Sequence, residues 1–365
     1  MVPNLLRKLP AEVRLIILSL LPQQDLLSIR QVSEAWLCAE VDDEIIRTHP
    51  GTVSFMFERR SLEGFLQICD IPRFASHVHT LDICVRHLLP LNERRHSGDT
   101  DGDGSDTDGT CISQASALRL DGQNELMRDY AFLKCFHEAL QKLTECKTII
   151  FNDHGPPRGP CSPTKGVDPS HYRGLVLKSG DSIAFVSKSL NVVLNGPNLP
   201  HLEAVTFDIG QFSIKNRDGL KPTMLPSLSS SVANVRRLSL HLDQKFLDGP
   251  ELQTFVEGLP ELLELGLEIV DEDWMTGTLP FLSKITIPKL RKLRLRGLAC
   301  KMHELNDFLL QHQDTLSHVI LYMVYLHGTR SWDRIDQTLS HRLNLQEISM
   351  ECCGIASDRI AESCL

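Results

Sequence analysis

Leu262-Leu-Glu-Leu265-Gly-Leu267 and Leu290-Arg-Lys-Leu293-Arg-Leu295 share one form, apolar-x-x-apolar-x-apolar. Their last residues alternate with period 2, as a strand with one buried face must. Working outward, the form recurs at Val235-Arg-Arg-Leu238-Ser-Leu240 and Leu202-Glu-Ala-Val205-Thr-Phe207 on one side. On the other it recurs at Leu316-Ser-His-Val319-Ile-Leu321 and Leu345-Gln-Glu-Ile348-Ser-Met350. The central residues Val205, Leu238, Leu265, Leu293, Val319 and Ile348 stand 33, 27, 28, 26 and 29 positions apart. Stretches between them, such as Gly249 to Gly258 and Met302 to His312, have helical spacing. A single strand-plus-helix unit cannot bury its apolar face, so neighbours must stack. The repeat therefore predicts an α/β solenoid. Two weaker copies, Val78-His-Thr-Leu81-Asp-Ile83 and Cys146-Lys-Thr-Ile149-Ile-Phe151, extend the series upstream.

Two segments interrupt those upstream copies. SGDTDGDGSDTDGT starts at Ser97, and HGPPRGPCSPTKGVDPS starts at His154. Both are poor in apolar residues, and they predict disordered insertions at about 93–118 and 153–173. Between them Leu126, Tyr130, Leu133, Phe136 and Leu140 have helical spacing, which predicts a helix over 124–144.

The N-terminal stretch Leu9–Trp36, LPAEVRLIILSLLPQQDLLSIRQVSEAW, has a different grammar. Pro10 suits a first helical turn, and Glu12 favours the positive end of the helix dipole. Val13, Ile16, Ile17, Leu20 and Leu21 follow at helical spacing until Pro22 stops the helix. Asp25 reads as the N-cap of a short second helix with Leu26, Leu27 and Ile29, and Ser33 as the cap of a third with Trp36. So short a segment cannot hold a core by itself, so part of its apolar surface should meet another body.

The residues Leu9, Pro10, Glu12, Ile17, Leu18, Leu21, Asp25, Leu26, Leu27, Arg30, Val32, Ser33 and Trp36 make this stretch similar to the F-box. The later repeats resemble degenerate leucine-rich repeats, without the Asn that usually follows the strand. The whole resembles F-box proteins of a kind common among fungi, with an F-box at 1–48 and a repeat domain at 49–365. That resemblance implies docking onto the Skp-family adaptor of a cullin–RING (SCF) ubiquitin ligase, with a protein substrate captured on the repeats. Carried over by position, the adaptor contacts would be Leu9, Pro10, Val13, Ile17, Leu21, Leu26, Leu27, Val32 and Trp36. An alternative is an F-box scaffold acting in a non-ligase complex.

In a leucine-rich-repeat-like horseshoe, the polar positions flanking the last two apolar residues of each unit line one face. They read Arg237, Ser239, His241; Glu264, Gly266, Glu268; Lys292, Arg294, Arg296; His318, Ile320, Tyr322; and Glu347, Ser349, Glu351. The sign of charge alternates strand by strand, so the acids could simply neutralise the bases across the ladder. The sharper expectation is that Lys292, Arg294 and Arg296, with His318 and Tyr322, bind an acidic or phosphorylated segment.

Other chemistries find little support. A net charge of −9 disfavours a general nucleic-acid binder. No apolar run is long enough for a membrane span, and no signal-peptide pattern opens the chain. Eleven scattered cysteines without a C-x-x-C suit small core residues in a reducing setting, cytoplasm or nucleus. Asp99, Asp101, Asp103 and Gly104 imitate the start of an EF-hand loop, but Asp106 and Thr110 stand where an apolar anchor and a bidentate Glu are needed. No nucleophile–base set, phosphate loop or metal motif is evident among the 15 histidines and the other residues. The expectation is a non-enzyme with no catalytic residue, no metal and no cofactor.

Overall fold

The computed structural model describes residues 8–21, 25–26, 29–30, 35–48, 51–85, 87–90, 114–128, 131–152, 175–178, 183–195, 199, 201–208, 225, 228, 234–243, 250–270, 282–327 and 331–356. The helices are α1 (Ala11–Ser19), α2 (Ala35–Thr48), α3 (Arg59–Cys69), α4 (Pro72–Ala75), α5 (Gln114–Arg128), α6 (Ala131–Lys142), α7 (Ile183–Asn195), α8 (Pro250–Glu257), α9 (Met302–Gln311) and α10 (Ser331–His341). The strands are β1 (Thr52–Met56), β2 (Thr80–Cys84), β3 (His87–Pro90), β4 (Thr148–Asn152), β5 (Leu175–Lys178) and β6 (Ala204–Asp208). They continue as β7 (Arg237–Asp243), β8 (Glu264–Val270), β9 (Lys292–Lys301), β10 (His318–His327), β11 (Glu347–Glu351) and β12 (Gly354–Ala356). The chain divides into two compact units, Met1–Cys146 with Gly155–Lys178, and Lys147–His154 with Ser179–Leu365.

In the first unit β1 pairs in parallel with β2, Phe55 opposite Ile83. The short turn after β1 is held by side chains: the Ser61 hydroxyl accepts from the Met56 N–H, and Glu58 caps α3 by accepting from the Ser61 N–H. The core is aromatic. Phe55, Phe57, Phe65, Phe132 and Phe136 are all fully buried, with Phe55 stacked on Phe65 at 4.5 Å and Phe132 on Phe136 at 5.4 Å. Each such pair adds about 0.5–1.5 kcal/mol beyond its buried area. β3 and β5 form a separate antiparallel pair.

Two expectations are corrected here. Gln114–Arg128 is helical, so 114–118 is not part of an insertion; and 124–144 holds parts of two helices, the end of α5 and the whole of α6, in place of one. The reason is chemical. α5 buries Ser116 and Gln123, and its Arg119 pairs with buried Glu58 at 2.8 Å. A helix that turns polar groups inward has no apolar period to read. The span 153–173 and the Asp-rich loop at 99–110 lie outside the described residues.

In the second unit β4, β6, β7, β8, β9, β10 and β11 lie side by side in chain order, with parallel pairing throughout. The register places repeat on repeat: Leu238, Leu265, Leu293, Val319 and Ile348 form one row, and Leu240, Leu267, Leu295, Leu321 and Met350 the next. Both rows are buried as far as β10. On β11, the final strand of this run, Ile348 and Met350 are exposed.

Helices and a 3-10 turn at Leu282–Lys284 fill several of the connections. α9 opens with Glu304 reaching back to the Lys301 N–H at 3.1 Å. It ends at His312, whose Nε2 accepts from the Ile287 N–H at 3.0 Å and whose Nδ1 lies 2.7 Å from the Phe308 carbonyl. That geometry demands a neutral ring, with the proton on Nδ1. Burial accordingly pushes the His312 pKa below its usual value.

One irregularity is itself repeated. Gly297, Met323 and Cys352 take positive φ values of 64°, 52° and 53°. Each follows the in-register trio Arg296, Tyr322 and Glu351. After this kink β9 and β10 resume pairing at Leu298 and Val324, and β10 goes on to pair with β12. Glycine suits the position at 297, where the backbone is left-handed and an added Cβ would approach the Ile269 carbonyl to 3.0 Å.

Candidate functional site

Two surfaces carry side chains that the fold leaves unused, one in each unit. The first is α1. Its inner side is fixed by Leu18, 1% exposed, and by Arg14, which donates to Glu40 of α2 at 2.8 and 2.5 Å and to the Leu9 carbonyl at 2.5 Å. The guanidinium holds the Glu40 carboxyl below its usual pKa. Arg30 pairs with buried Asp42 at 2.5 Å and lies 5.5 Å over the Phe74 ring. Arg73 pairs with Asp43 and donates to the Ala39 carbonyl at 3.3 Å. Thus α2 is fastened to α4, the turn that leads into β2.

These polar clamps settle which way α1 faces. Val13, Ile16 and Leu20, at spacing i, i+3, i+7, form an outward stripe, exposed by 40, 60 and 79%. Ile17 sits half-buried at its rim, and Leu15, 43% exposed, lies on another side. Solvated apolar side chains gathered on one stripe mark a binding surface.

Of the expected adaptor contacts, Pro10 and Val13 are exposed, Leu9, Ile17 and Leu21 are half-buried, and Leu26 is buried in the core. Leu27 and Val32 lie outside the described residues, and Trp36 is on α2 with its side chain outside them. Pro10 is the N-cap of α1 and not its first helical residue. Asp25 is helical and so is not an N-cap in the described backbone, and Ser33 is outside it. Leu15, Ile16 and Leu20 were missed as surface residues. The available signal was that α1 carries apolar side chains on more than one helical face, so one side of so short a helix had to remain uncovered.

The second surface is the polar face of the second unit's sheet. The register brings the expected rows together: Arg237, Glu264, Lys292, His318 and Glu347 in one; Ser239, Gly266, Arg294, Ile320 and Ser349 in the next; and His241, Glu268, Arg296, Tyr322 and Glu351 in the third. Four members of the third row are linked to one another. Buried His241 lies 3.2 Å from Glu268 and 3.6 Å from Asp208. Glu268 also takes Arg296 at 3.4 Å, and the Arg296 guanidinium stacks 5.0 Å over the Tyr322 ring.

The other two basic residues behave differently. The side chains of Lys292 and Arg294 form no hydrogen bond or ion pair among the described residues. His318 Nδ1 is 2.8 Å from the Ser317 hydroxyl, with Glu347 4.0 Å from its other nitrogen. The expected trio is therefore divided into one neutralised guanidinium and two uncompensated cations. Beside them is a shallow depression of about 200 Å³, whose rim and floor include Thr148, Thr206, Arg237, Ser239, Glu264 and Gly266.

Among the described residues, no three His, Cys, Asp or Glu side chains stand where they could hold a metal ion. Among them, too, no helix is long and apolar enough to cross a membrane. A family model described as F-box-like matches residues 6–49, the segment that contains α1 and α2. No curated protein matches the chain. The chain thus carries an F-box-like module at its N-terminal end, and a parallel sheet with strands in chain order further on.

Proposed function

We propose that this chain is the substrate-recognition subunit of an SCF-type E3 ubiquitin ligase. Its F-box-like module docks a Skp-family adaptor, and through it the cullin–RING core, while the polar face of the sheet captures a protein substrate. The observation that carries this reading is the Val13, Ile16 and Leu20 stripe, solvated on a helix whose other side is clamped by Arg14 and Leu18. F-box domains bind Skp-type adaptors, and helix-in-groove association buries such a stripe. Pro10, Ile17 and Leu9 would then lie at the margin of the contact, with Leu26 acting from inside as packing.

The sheet belongs, in this proposal, to a degenerate leucine-rich-repeat-like solenoid of the fungal kind. The run of strands in chain order at intervals of 26 to 33 residues supports it. Lys292 and Arg294, and more weakly Arg296, His318 and Tyr322, would meet an acidic or phosphorylated stretch of the substrate. The chain itself would catalyse nothing and need no cofactor, and it would work in the cytoplasm or nucleus.

The test is affinity purification of the intact chain beside an Ile16→Glu/Leu20→Glu variant. Both positions are exposed, so folding should be kept while two carboxylates face the adaptor. Loss of adaptor and cullin together is the expected result. Adaptor captured by the variant at the wild-type level would refute the docking surface, and adaptor without cullin would favour a non-ligase scaffold.

A further inference from the structure

β11 ends the run of strands in the second unit: β10 pairs with one of its edges, and no described strand pairs with the other. In the strands before it, the inward side chains are sealed by the strand that follows. Leu293 and Leu295 of β9, and Val319 and Leu321 of β10, are fully buried. Ile348 and Met350, in the same two rows on β11, are 45 and 41% exposed. Ile355 of β12 is exposed as well, although Leu326 and Cys300 in its row are buried. An edge with open amides and open apolar side chains is a template for one more strand.

Charge decides what kind of strand completes it. Each glutamate of the polar rows on β8 stands between two bases: Glu264 has Arg237 and Lys292 opposite it, and Glu268 has His241 at 3.2 Å and Arg296 at 3.4 Å. On β11 the arrangement is half made. Glu347 has His318 at 4.0 Å on one side only, and Glu351 stands opposite Tyr322 with no side-chain ion pair among the described residues. A second copy of this edge would set acid against acid, which is destabilising. A basic segment supplies what the rows lack.

We infer that the free edge of β11 binds an extended protein segment of the pattern base-apolar-polar-apolar-base, which adds as a further parallel strand. Its bases meet Glu347 and Glu351, and its apolar side chains cover Ile348 and Met350. The backbone pairing follows the rule of the ladder. The amides of Glu264, Lys292, His318 and Glu347 donate to the carbonyls of Arg236, Leu263, Arg291 and Ser317 on the strand before, at 2.9, 3.0, 2.9 and 3.2 Å. In that register the first base of the segment donates its amide to the Gln346 carbonyl, and its central polar residue donates to the Ile348 carbonyl. The amides of its two apolar residues point away from β11. Strand addition of this kind takes affinity from main-chain bonds and specificity from alternate side chains. It does not depend on adaptor docking by α1.

The experiment titrates the full chain with the peptide Gly-Ser-Lys-Ile-Ser-Leu-Arg-Ser-Gly and with its counterpart bearing glutamate at both basic positions. The basic peptide should bind at least about tenfold more tightly, since two matched charge pairs replace two opposed ones. Glu347→Lys/Glu351→Lys, at two exposed positions, should reverse that preference. N-methylation of the central serine amide should abolish binding, and N-methylation of the leucine amide should leave it unchanged. Equal binding of the two peptides, equal loss from the two N-methylations, or an unaltered preference in the folded variant overturns the inference. The peptide arms need no variant, so they decide the matter if the double substitution does not fold. Absence of binding by either peptide also overturns it. Sedimentation then tells a second copy on the edge, seen as a dimer, from the residues after Ala356 lying on it, seen as a monomer that gains peptide binding once cut back to Ala356.

Discussion

The outer stripe of α1 and the polar face of the sheet are opposite answers to the problem of leaving a surface open. At α1 the basic groups are consumed inside, Arg14 pairing with Glu40 and nearby Arg30 with Asp42, and the outward stripe of Val13, Ile16 and Leu20 is hydrocarbon. On the sheet the hydrocarbon is consumed inside, in the stacked Leu and Val rows, and charge remains outside. A surface of the first kind binds by desolvation and has little sensitivity to salt. A surface of the second kind steers by charge and weakens as ionic strength rises. One chain presenting both has the physical means to hold two partners under different rules.

The contrast can be broken most severely at the stripe. Ile16→Glu/Leu20→Glu should abolish adaptor binding in a titration, because burying unpaired carboxylates costs several kcal/mol, while the melting temperature stays near wild type. Wild-type affinity would mean that the stripe is not an interface. Next comes the inner side of the same helix. Leu18→Ala should destabilise the module by about 2–5 kcal/mol in urea titration, whereas Leu20→Ala should change stability by under about 0.5 kcal/mol. Similar losses at both positions would erase the distinction between inner and outer faces.

Acidity acts on each region through a different group. His312 has its pKa lowered by burial, so the unfolded chain binds a proton there that the fold refuses. Its contribution is complete above the usual value of 6.5 and is lost as pH falls below that. Urea midpoints of the sheet unit should fall from pH 7.5 toward pH 5.5, and His312→Gln should flatten that slope. Glu40 is the carboxylate case: held low by Arg14, it stabilises α1 against α2 above the ordinary carboxylate range and loses that contribution only as pH falls through its lowered pKa. Probes in the two units should therefore report acid transitions in sequence, the sheet first. The smallest effect is expected at Cys352, exposed and left-handed, where Cys352→Gly should raise stability by about 0.5 kcal/mol.

The strand ladder was legible because a period of 2 inside a period of 26 to 33 residues has few other physical meanings. The rows Lys292/Glu264 and Arg296/Glu268 followed from that register alone. β1 was not legible: Thr52-Val-Ser-Phe-Met lacks the leading apolar residue of the repeat and follows α2 directly, so nothing in the pattern announces it. α5 was hidden by its buried polar face. The division of the Arg296, Arg294 and Lys292 trio was hidden for another reason, since whether a guanidinium turns to Glu268 or stays in solvent is decided by side-chain rotation. Which face of α1 looks outward also escaped, because Arg14 reaching Glu40 across 26 residues is a tertiary event.

The kink at Gly297, Met323 and Cys352 has a consequence for self-association. Parallel stacking leaves a last strand, and an unbroken run of its amides and carbonyls would template the same strand of another molecule. Here the bend divides that last pairing partner into β11, five residues long, and β12, three residues long. The longer piece begins and ends with exposed glutamates, Glu347 and Glu351, so two such edges brought together would face each other with like charge. A backbone irregularity inherited from strand to strand thus shortens, among the described residues, the final run of pairing groups that a second copy could use.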